Sequence, residues 1–398
     1  MSHFIASLVI PLKGGDELDK TGFKNMKEKN RILVLNSIRN KNNHSRASIA
    51  KQTKLTPPTV STIVKNLIEE GLVYEEDELG DSSGGRKPKI LSINWERYNI
   101  VGIDVSFKAI KGILSNMNGD VLHHYEVKYT VENNDQFLEM LLHVTKHLMQ
   151  KSEKTVYGIG VAMHGVVDRT KGNAVYAPNL KLTDIPIKSF LEQHFDVGVI
   201  VDNDVRCMLL NEVWFNKMED KNIVLINLGH GVGGAIMLDG KILQGINGFA
   251  GEVGHMILEP HGQLCRCGNS GCLETLISGE AIKSSGINHG IINNEHTALD
   301  VYKLALEDNE TAVAILQQIG FYIGQAIVNI FHIINPERVI LTGGVSNAYH
   351  FFENNMKEVM SKSIMLNMSQ LKIDTTNNKD GAARGACALV IETLFIVE

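Results

Sequence analysis

Residues 248–274 read GFAGEVGHMILEPHGQLCRCGNSGCLE, and three of the chain's five cysteines fall in the second half of that stretch. Cys265, Cys267 and Cys272 form a C-x-C-x4-C pattern with glycines at its turns. Thiols this close together, with Cys207 and Cys387 far away in the chain, suit a metal site better than a disulfide framework. Zinc prefers four nitrogen or sulfur ligands, so three thiolates need one more partner. His255 is the natural candidate, and His261 is the nearer competitor. The ordinary alternative is three small buried cysteines beside a surface histidine, and the turn glycines between the thiols weigh against it. A closed four-ligand site is structural: it would brace a binding wall and do no chemistry. Two carboxylates, Glu252 and Glu274, bracket the knot. With one His255 ring nitrogen on the metal, the other can still donate a hydrogen bond outward, its tautomer fixed by the metal.

The pattern G-E-x-G-H followed by C-x-C-G-x2-G-C-x-E resembles the signature of the ROK family of sugar kinases and sugar-responsive repressors. That resemblance implies that His255, Cys265, Cys267 and Cys272 bind structural zinc. It implies also that Glu252, His255 and Glu274 touch sugar hydroxyls. It covers the chain from about residue 27 onward.

The 398 residues are enough for two or three domains with sizeable cores. A composition 43% hydrophobic and 21% charged is that of an ordinary soluble protein. The net charge of −6 hides an asymmetry. Residues 27–92 carry 12 Lys+Arg against 8 Asp+Glu, whereas residues 93–398 carry 24 against 34. A basic head on an acidic body directs any anionic partner to the head. The opening HFIASLVIPL lacks a basic leader and a small-residue cleavage site, and no stretch reads as a membrane span. Cysteine usage fits a reducing compartment, so the expected location is cytoplasmic.

Residues 1–26 read as an irregular arm and residues 27–93 as a small helical head. Ile32, Leu35 and Ile38 recur at helical spacing. Ser45 can cap a short second helix, and Thr56 caps a third with Pro57 at its first position. That third helix shows the stripe Val60, Ile63, Val64, Leu67, Ile68 and stops at Gly71. Three helices followed by a hairpin make a winged helix-turn-helix. Its outward residues Thr59, Ser61, Thr62, Lys65 and Asn66, with Arg46 and Thr56 nearby, suit a major groove. Arg86 and Lys87 in the glycine-rich wing tip suit phosphate or minor-groove contact. A head of this kind can also serve only protein contacts. The arrangement, with a wing ending in S-G-G-R-x-P, resembles the DNA-binding head of the family's repressors, most closely the xylose-responsive ones. The implied partner is operator DNA.

Residues 94–398 alternate strands and helices. A strand at 100–105, a second at 110–114, the turn Asn118-Gly119 and a third at 121–129 are followed by a helix at 134–152. The unit recurs at 223–228, 233–238 and 241–244, with late helices, notably 311–334, and a strand at 338–341. The duplication implies an α/β architecture. It resembles the two-lobed actin-like ATPase (ribonuclease-H-like) fold of the sugar kinases. Asn203 and Asp204 end a strand and open a helix, where a helix cap is the local reading; the resemblance makes them sugar ligands instead. His164-Gly165 and Val167-Asp168 resemble a loop lining the same pocket.

Whether the chain is an enzyme turns on its phosphate loops. The family's kinases carry a glycine-rich first loop resembling D-x-G-G-T-K; here it reads Asp104-Val105-Ser106-Phe107-Lys108, without glycine. A second loop, Leu228 to Gly234, keeps its glycines but has His230 where the kinases usually carry threonine. Gly343-Gly344 resembles part of an adenosine-side loop. The expectation is a non-catalytic repressor, a homodimer or homotetramer induced by xylose or another aldose. The competing expectation is an ATP-dependent sugar kinase with an accessory DNA-binding head.

Overall fold

The computed structural model describes residues 21–39, 45–79, 89–106, 109–177, 180–363 and 370–396. The head begins with α1 (Thr21–Arg39), α2 (Arg46–Thr53) and α3 (Pro57–Glu69), followed by the hairpin β1 (Val73–Leu79) and β2 (Lys89–Ile93). Each boundary has a local cause. Ser45 and Ser48 form a reciprocal capping box, Lys54 closes α2 at φ 60°, and the Thr56 side chain accepts from the Thr59 N–H to open α3. Gly71, at φ 76°, ends α3, and the Leu72 N–H bonds back to the Leu67 carbonyl. Ile32, Leu35, Ile38, Ile49, Val60, Ile63, Val64 and Leu67 are buried together as the head's core, with Ile68 half-buried.

One boundary corrects the sequence expectation. Of the irregular arm expected over residues 1–26, only 21–26 lies among the described residues, and it is the first turns of α1. Residues 25–27 are exposed, and the buried stripe of this helix begins only at Ile32 among the residues whose burial is described.

Glu75 on β1 ties the hairpin to the helices: its carboxylate meets Arg46 and Lys89, each at 2.5 Å. Hydrogen bonds from Lys89 and then Arg46 hold it below the usual carboxylate range. A pKa depressed on folding contributes stability above the unfolded-state value, and that stability is lost as pH falls through the folded-state one. The hairpin amides are therefore expected to lose hydrogen-exchange protection at acid pH. Glu75→Gln should remove part of that pH dependence while lowering protection at neutral pH.

The rest divides into two units, Met1–Gly165 with Arg169–Asp202 and Ala383–Glu398, and Val166–Asp168 with Asn203–Ala382. The first, besides the head, contains β3 (Asn99–Val105), β4 (Ala109–Asn116), β5 (Val121–Lys128), α4 (Asn134–Lys151) and β6 (Val156–Met163). The short β7 (Val166–Asp168) belongs to the second unit, and the first resumes with β8 (Asn173–Ala177), β9 (Leu182–Ile185), α5 (Ile187–His194) and β10 (Gly198–Asn203), whose last residue counts with the second. The sheet order is β10-β6-β3-β4-β5, with β3, β4 and β5 antiparallel and β6 parallel to β3.

The second unit repeats the plan. It comprises α6 (Asp204–Trp214), β11 (Ile223–Leu228), β12 (Val232–Leu238) and β13 (Lys241–Ile242), then α7 (Glu274–Ile277), α8 (Gly279–Asn288), α9 (Ala298–Leu306) and α10 (Glu310–Ile334). It ends with β14 (Arg338–Thr342), α11 (Tyr349–Ser361), β15 (Lys372–Thr375) and the start of α12 (Gly381–Phe395). Its order, β13-β12-β11-β14-β15, mirrors the first sheet strand for strand. In both, the first strand is central, the antiparallel pair lies to one side and the fourth strand runs parallel on the other. This is the duplicated architecture that the repeated strand pattern implied.

Helix α12 packs on the first sheet, where a Cβ at Gly160 would fall 1.9 Å from the Ala386 carbonyl. Its far end meets the head. Asn36 Nδ2 donates to the Phe395 carbonyl at 2.6 Å, the Arg39 guanidinium lies 4.9 Å from the Phe395 ring centre, and Trp95 lies 6.0 Å from it.

Helix α10 corrects a second expectation, because among the described residues it is long and apolar enough to cross a membrane. Its apolar stripe is instead the core of the second unit, through Ile315, Leu316, Ile319, Ile323, Ile327 and Ile330. Gly320 and Gly324 let α11 approach closely at Phe352 and Met356.

Candidate metal centre and ligand site

The metal cluster is assembled by two tight turns. A 3-10 turn, Val253–His255, raises the histidine, and the isolated bridge Ile257↔Cys272 brings the third cysteine beneath it. The Cys265 N–H bonds to the Asn269 carbonyl at 2.7 Å, and Gly268, at φ 95°, closes the loop between thiols. One donor atom from each of His255, Cys265, Cys267 and Cys272 lies within 4.8 Å of the others, and His261 is not in the group. His255 Nδ1 sits 3.6 Å from Cys265 Sγ, and Cys267 Sγ 3.6 Å from Cys272 Sγ.

The thiols' chemistry tests whether the set fits a metal. Burial, then hydrogen bonding to the other two thiols, pushes Cys272 up to about 12, and burial raises Cys265. Hydrogen bonding to the Asn269 backbone lowers Cys267. Thiolates this crowded need a cation to coexist, and a Cys3His donor set meets that need with a closed tetrahedral shell. The residues fit.

On the other side of the histidine, Nε2 faces Glu252 Oε2 at 4.0 Å. Thus the ring nitrogen turned from the thiols points toward the carboxylate that the sequence paired with it. Glu274 is buried, its Oε2 accepting from the Val232 N–H at 3.0 Å. Asn203 ends β10 and caps α6, with Oδ1 accepting from the Val205 and Arg206 N–H groups at 2.9 and 3.2 Å. The capping role read from local sequence is therefore present. Buried Asp204 begins the helix and accepts from the Val205 N–H at 3.0 Å.

Strand β12 gathers these segments. A Cβ at Gly233 would meet Val205 of α6 at 2.7 Å, and one at Gly234 would meet the Gly251 carbonyl at 2.4 Å. One at Gly254 would fall 2.1 Å from the Val232 carbonyl. The glycines of the second loop therefore serve close packing, which hangs the Asn203-Asp204 pair and the Glu252–His255 turn on one strand.

Two arginines were not singled out in the sequence. Arg206 is buried and donates to the Gly248 carbonyl at 2.5 Å, fixing the start of the 248–274 stretch against α6. Arg266 stands inside the C-x-C and pairs with Glu274, Nε to Oε1 at 3.0 Å and Nη2 to Oε2 at 3.1 Å. A cation between two candidate ligand thiols and eight residues before a buried carboxylate was a legible signal for the second.

The phosphate-loop positions differ from one another. In the first, Ser106 bonds to the Ala109 carbonyl through both its N–H and its hydroxyl, and Phe107 and Lys108 lie outside the described residues. The Tyr129 hydroxyl donates to the Ser106 carbonyl at 2.6 Å, and burial, then the Asp104 carboxylate, pushes its pKa up to about 12. In the second, Gly229 and His230 carbonyls accept from the Gly279 and Glu280 N–H groups. Gly343 has φ 93° and lies against Asn227 and Leu228, which only glycine permits.

In the head, Ser61, Thr62 and Lys65 are exposed along α3, while Thr59 and Asn66 are half-covered. The Thr56 and Thr59 hydroxyls bond to each other at 2.8 Å, and Thr62 back-bonds to the Pro58 carbonyl. Arg46, expected at DNA, is held by Glu75. Arg86 and Lys87 lie outside the described residues.

A winged helix-turn-helix, a duplicated α/β body and a Cys3His knot define a two-part protein, and comparison with known sequences agrees. Residues 100–393 match the ROK family's sequence profile and residues 27–74 that of a winged helix-turn-helix DNA-binding domain. The chain belongs to the ROK family. It is 31% identical to a xylose repressor of Caldicellulosiruptor bescii over 388 residues, covering 93% of this chain and 97% of that one. It is 33% identical to a glucokinase of Halalkalibacterium halodurans over 270 residues, 62% of this chain and 81% of that one. Among solved structures, a ROK family transcriptional regulator, a homologue of the Escherichia coli MLC protein, superposes with a TM-score of 0.84 at 27% identity, covering 93% and 97% of the two chains.

Proposed function

We propose that the protein is a sugar-responsive, DNA-binding transcriptional repressor of carbohydrate-utilisation genes, with xylose or another aldose as inducer. The observation that carries this reading is the joining of a winged helix-turn-helix to a ROK body in one chain, the arrangement it shares over nearly its full length with a xylose repressor. The partners are operator DNA and a small sugar, and the working form is a homodimer or homotetramer, since a two-fold operator needs paired heads. A DNA partner and clustered thiols support a cytoplasmic location. The metal is structural zinc on His255, Cys265, Cys267 and Cys272, and Asn203, Asp204, Glu252, His255 and Glu274 contact the sugar. The head, residues 27–93, reads the operator, and the body, 94–398, senses the sugar. Induction requires that sugar bind the two conformations of the body unequally.

The reading includes sugar binding without phosphoryl transfer. That reaction depends on holding phosphates in line and stabilising their charge. Ser106 in the first loop is held by Ala109 and Tyr129, and the loop's sequence has no glycine to let backbone amides approach an anion. Purified protein incubated with ATP, magnesium and each sugar that raises its melting temperature should release no sugar-dependent ADP. Turnover at roughly 1 per second or more would make it a kinase. Asp204→Asn should weaken sugar binding roughly tenfold or more and leave sugar-free operator binding unchanged, as measured by calorimetry and gel shift.

DNA affinity should depend strongly on salt. Lys65 is exposed, and its Glu69 partner at 3.7 Å is exposed as well, so the pair holds it weakly. Lys65→Ala is expected to weaken operator binding and flatten the logarithmic salt slope by about 0.9, as one phosphate contact requires. An unchanged slope would remove Lys65 from the interface.

A further inference from the structure

The Arg266–Glu274 pair is built more tightly than a surface ion pair. Glu274 is 8% exposed and opens α7 directly after the metal-binding turn. Both of its oxygens face Arg266, at 3.0 and 3.1 Å, and Oε2 also accepts from the Val232 N–H. The fork is bounded on its third side by the glycine-rich loop: a Cβ at Gly231 would lie 2.5 Å from Glu274 Oε2 and 2.9 Å from Arg266 Nη2. The backbone of Arg266 is anchored on both flanks by Cys265 and Cys267. Two separate segments, the C-x-C loop and the glycine-rich loop, thus converge on one carboxylate.

We propose that Arg266 is a positioning residue of the sugar site, holding Glu274 so that Oε1 is oriented to accept a hydrogen bond from a sugar hydroxyl. This rests on the reading of Glu274 as a sugar ligand. A two-point guanidinium fork fixes the carboxylate's plane, which the point charge of a lysine does not. Oε2 has both acceptor directions taken, so among the described residues Oε1 is the oxygen with capacity for a further bond. A hydroxyl arriving there can donate to Oε1, whose plane and position the fork has already set. The site then favours a sugar that keeps that hydroxyl over its deoxy analogue. The metal knot also acquires a specific duty: by fixing Cys265 and Cys267 it fixes the arginine between them.

The test is calorimetry on the full-length, metal-loaded protein with D-xylose, D-glucose and N-acetyl-D-glucosamine as probes. Any sugar that binds the wild type is titrated into Arg266→Ala, Arg266→Lys, Glu274→Gln and the Arg266→Ala/Glu274→Gln double variant. Metal content and melting temperature are measured for each, and Arg266→Lys serves where the alanine variant is unstable. The expected result is a loss of about tenfold or more in affinity for both Arg266→Ala and Arg266→Lys at unchanged metal content. The double variant should bind no more weakly than Glu274→Gln alone, because one substitution already removes what the other acts through. Wild-type or tighter affinity in both arginine variants, or losses that multiply in the double variant, would overturn the proposal. Failure of the wild type to bind any probe would instead count against the sugar site itself, and the proposal would fall with it.

Discussion

Replacing Cys272 with serine is expected to empty the metal site, melt the segment from His255 to Glu274 and abolish the sugar response, all in one step. Cys272 is fully buried, and its Sγ, one of the four donor atoms, lies 3.6 Å from Cys267 Sγ. Zinc holds small zinc-dependent folds with apparent free energies of about 10–16 kcal/mol. Here the knot sits on a unit with a large core of its own, built on α10, α11 and the second sheet. The expected loss is therefore local, about 3–5 kcal/mol, within the range for substitutions that cost a bound metal. The response fails with it because Glu252 and Glu274 flank the knot, and Arg266, which holds Glu274, lies inside it. Metal content by mass spectrometry, calorimetric unfolding and sugar titration report the three losses. A metal-free variant with wild-type melting and wild-type sugar affinity would reject the structural role of the metal.

Phe395→Ala should have the next largest effect, about 3–5 kcal/mol, the usual cost of deleting a buried aromatic ring. The ring is 3% exposed, packs against Trp95 and lies under the Arg39 guanidinium. Burial lowers the pKa of Arg39 and the Glu392 carboxylate raises it, so the cation is covered on one side and countered on the other. Removing the ring leaves that guanidinium over a cavity and loosens α1 against the end of α12. We expect a lower melting temperature, loss of amide protection concentrated in α1 and α12, and faster proteolysis between head and body. Protection lost evenly over the whole chain, or nowhere, would show that this contact does not hold the head.

What could be read early follows a physical division. The stripe of α3, its Thr56 cap and its Gly71 stop are local features, and all three stand where the spacing put them. The first turns of α1 were not legible because the buried stripe that marks the helix begins only at Ile32 among the residues whose burial is described. The expected strand 241–244 shortens to Lys241–Ile242, and the strand expected from Gly233 starts at Val232, since strand ends depend on partners far away in sequence.

The same division runs through the site. The sequence by itself determined the donor chemistry of the metal knot, the two carboxylates beside it, the Asn203-Asp204 helix start and the duplication of the α/β unit. Each is a matter of residue type and short spacing, which chain connectivity enforces. Only the tertiary structure decided which partner each charged group takes. It set His255 rather than His261 among the thiols, Arg46 on Glu75, and Arg266 on Glu274. It also turned the second-loop glycines into packing surfaces for α6 and the Gly251–Gly254 turn. Those choices rest on distances between segments that meet only once the chain has folded, and the pairing of a long flexible cation is not encoded in its neighbours along the chain.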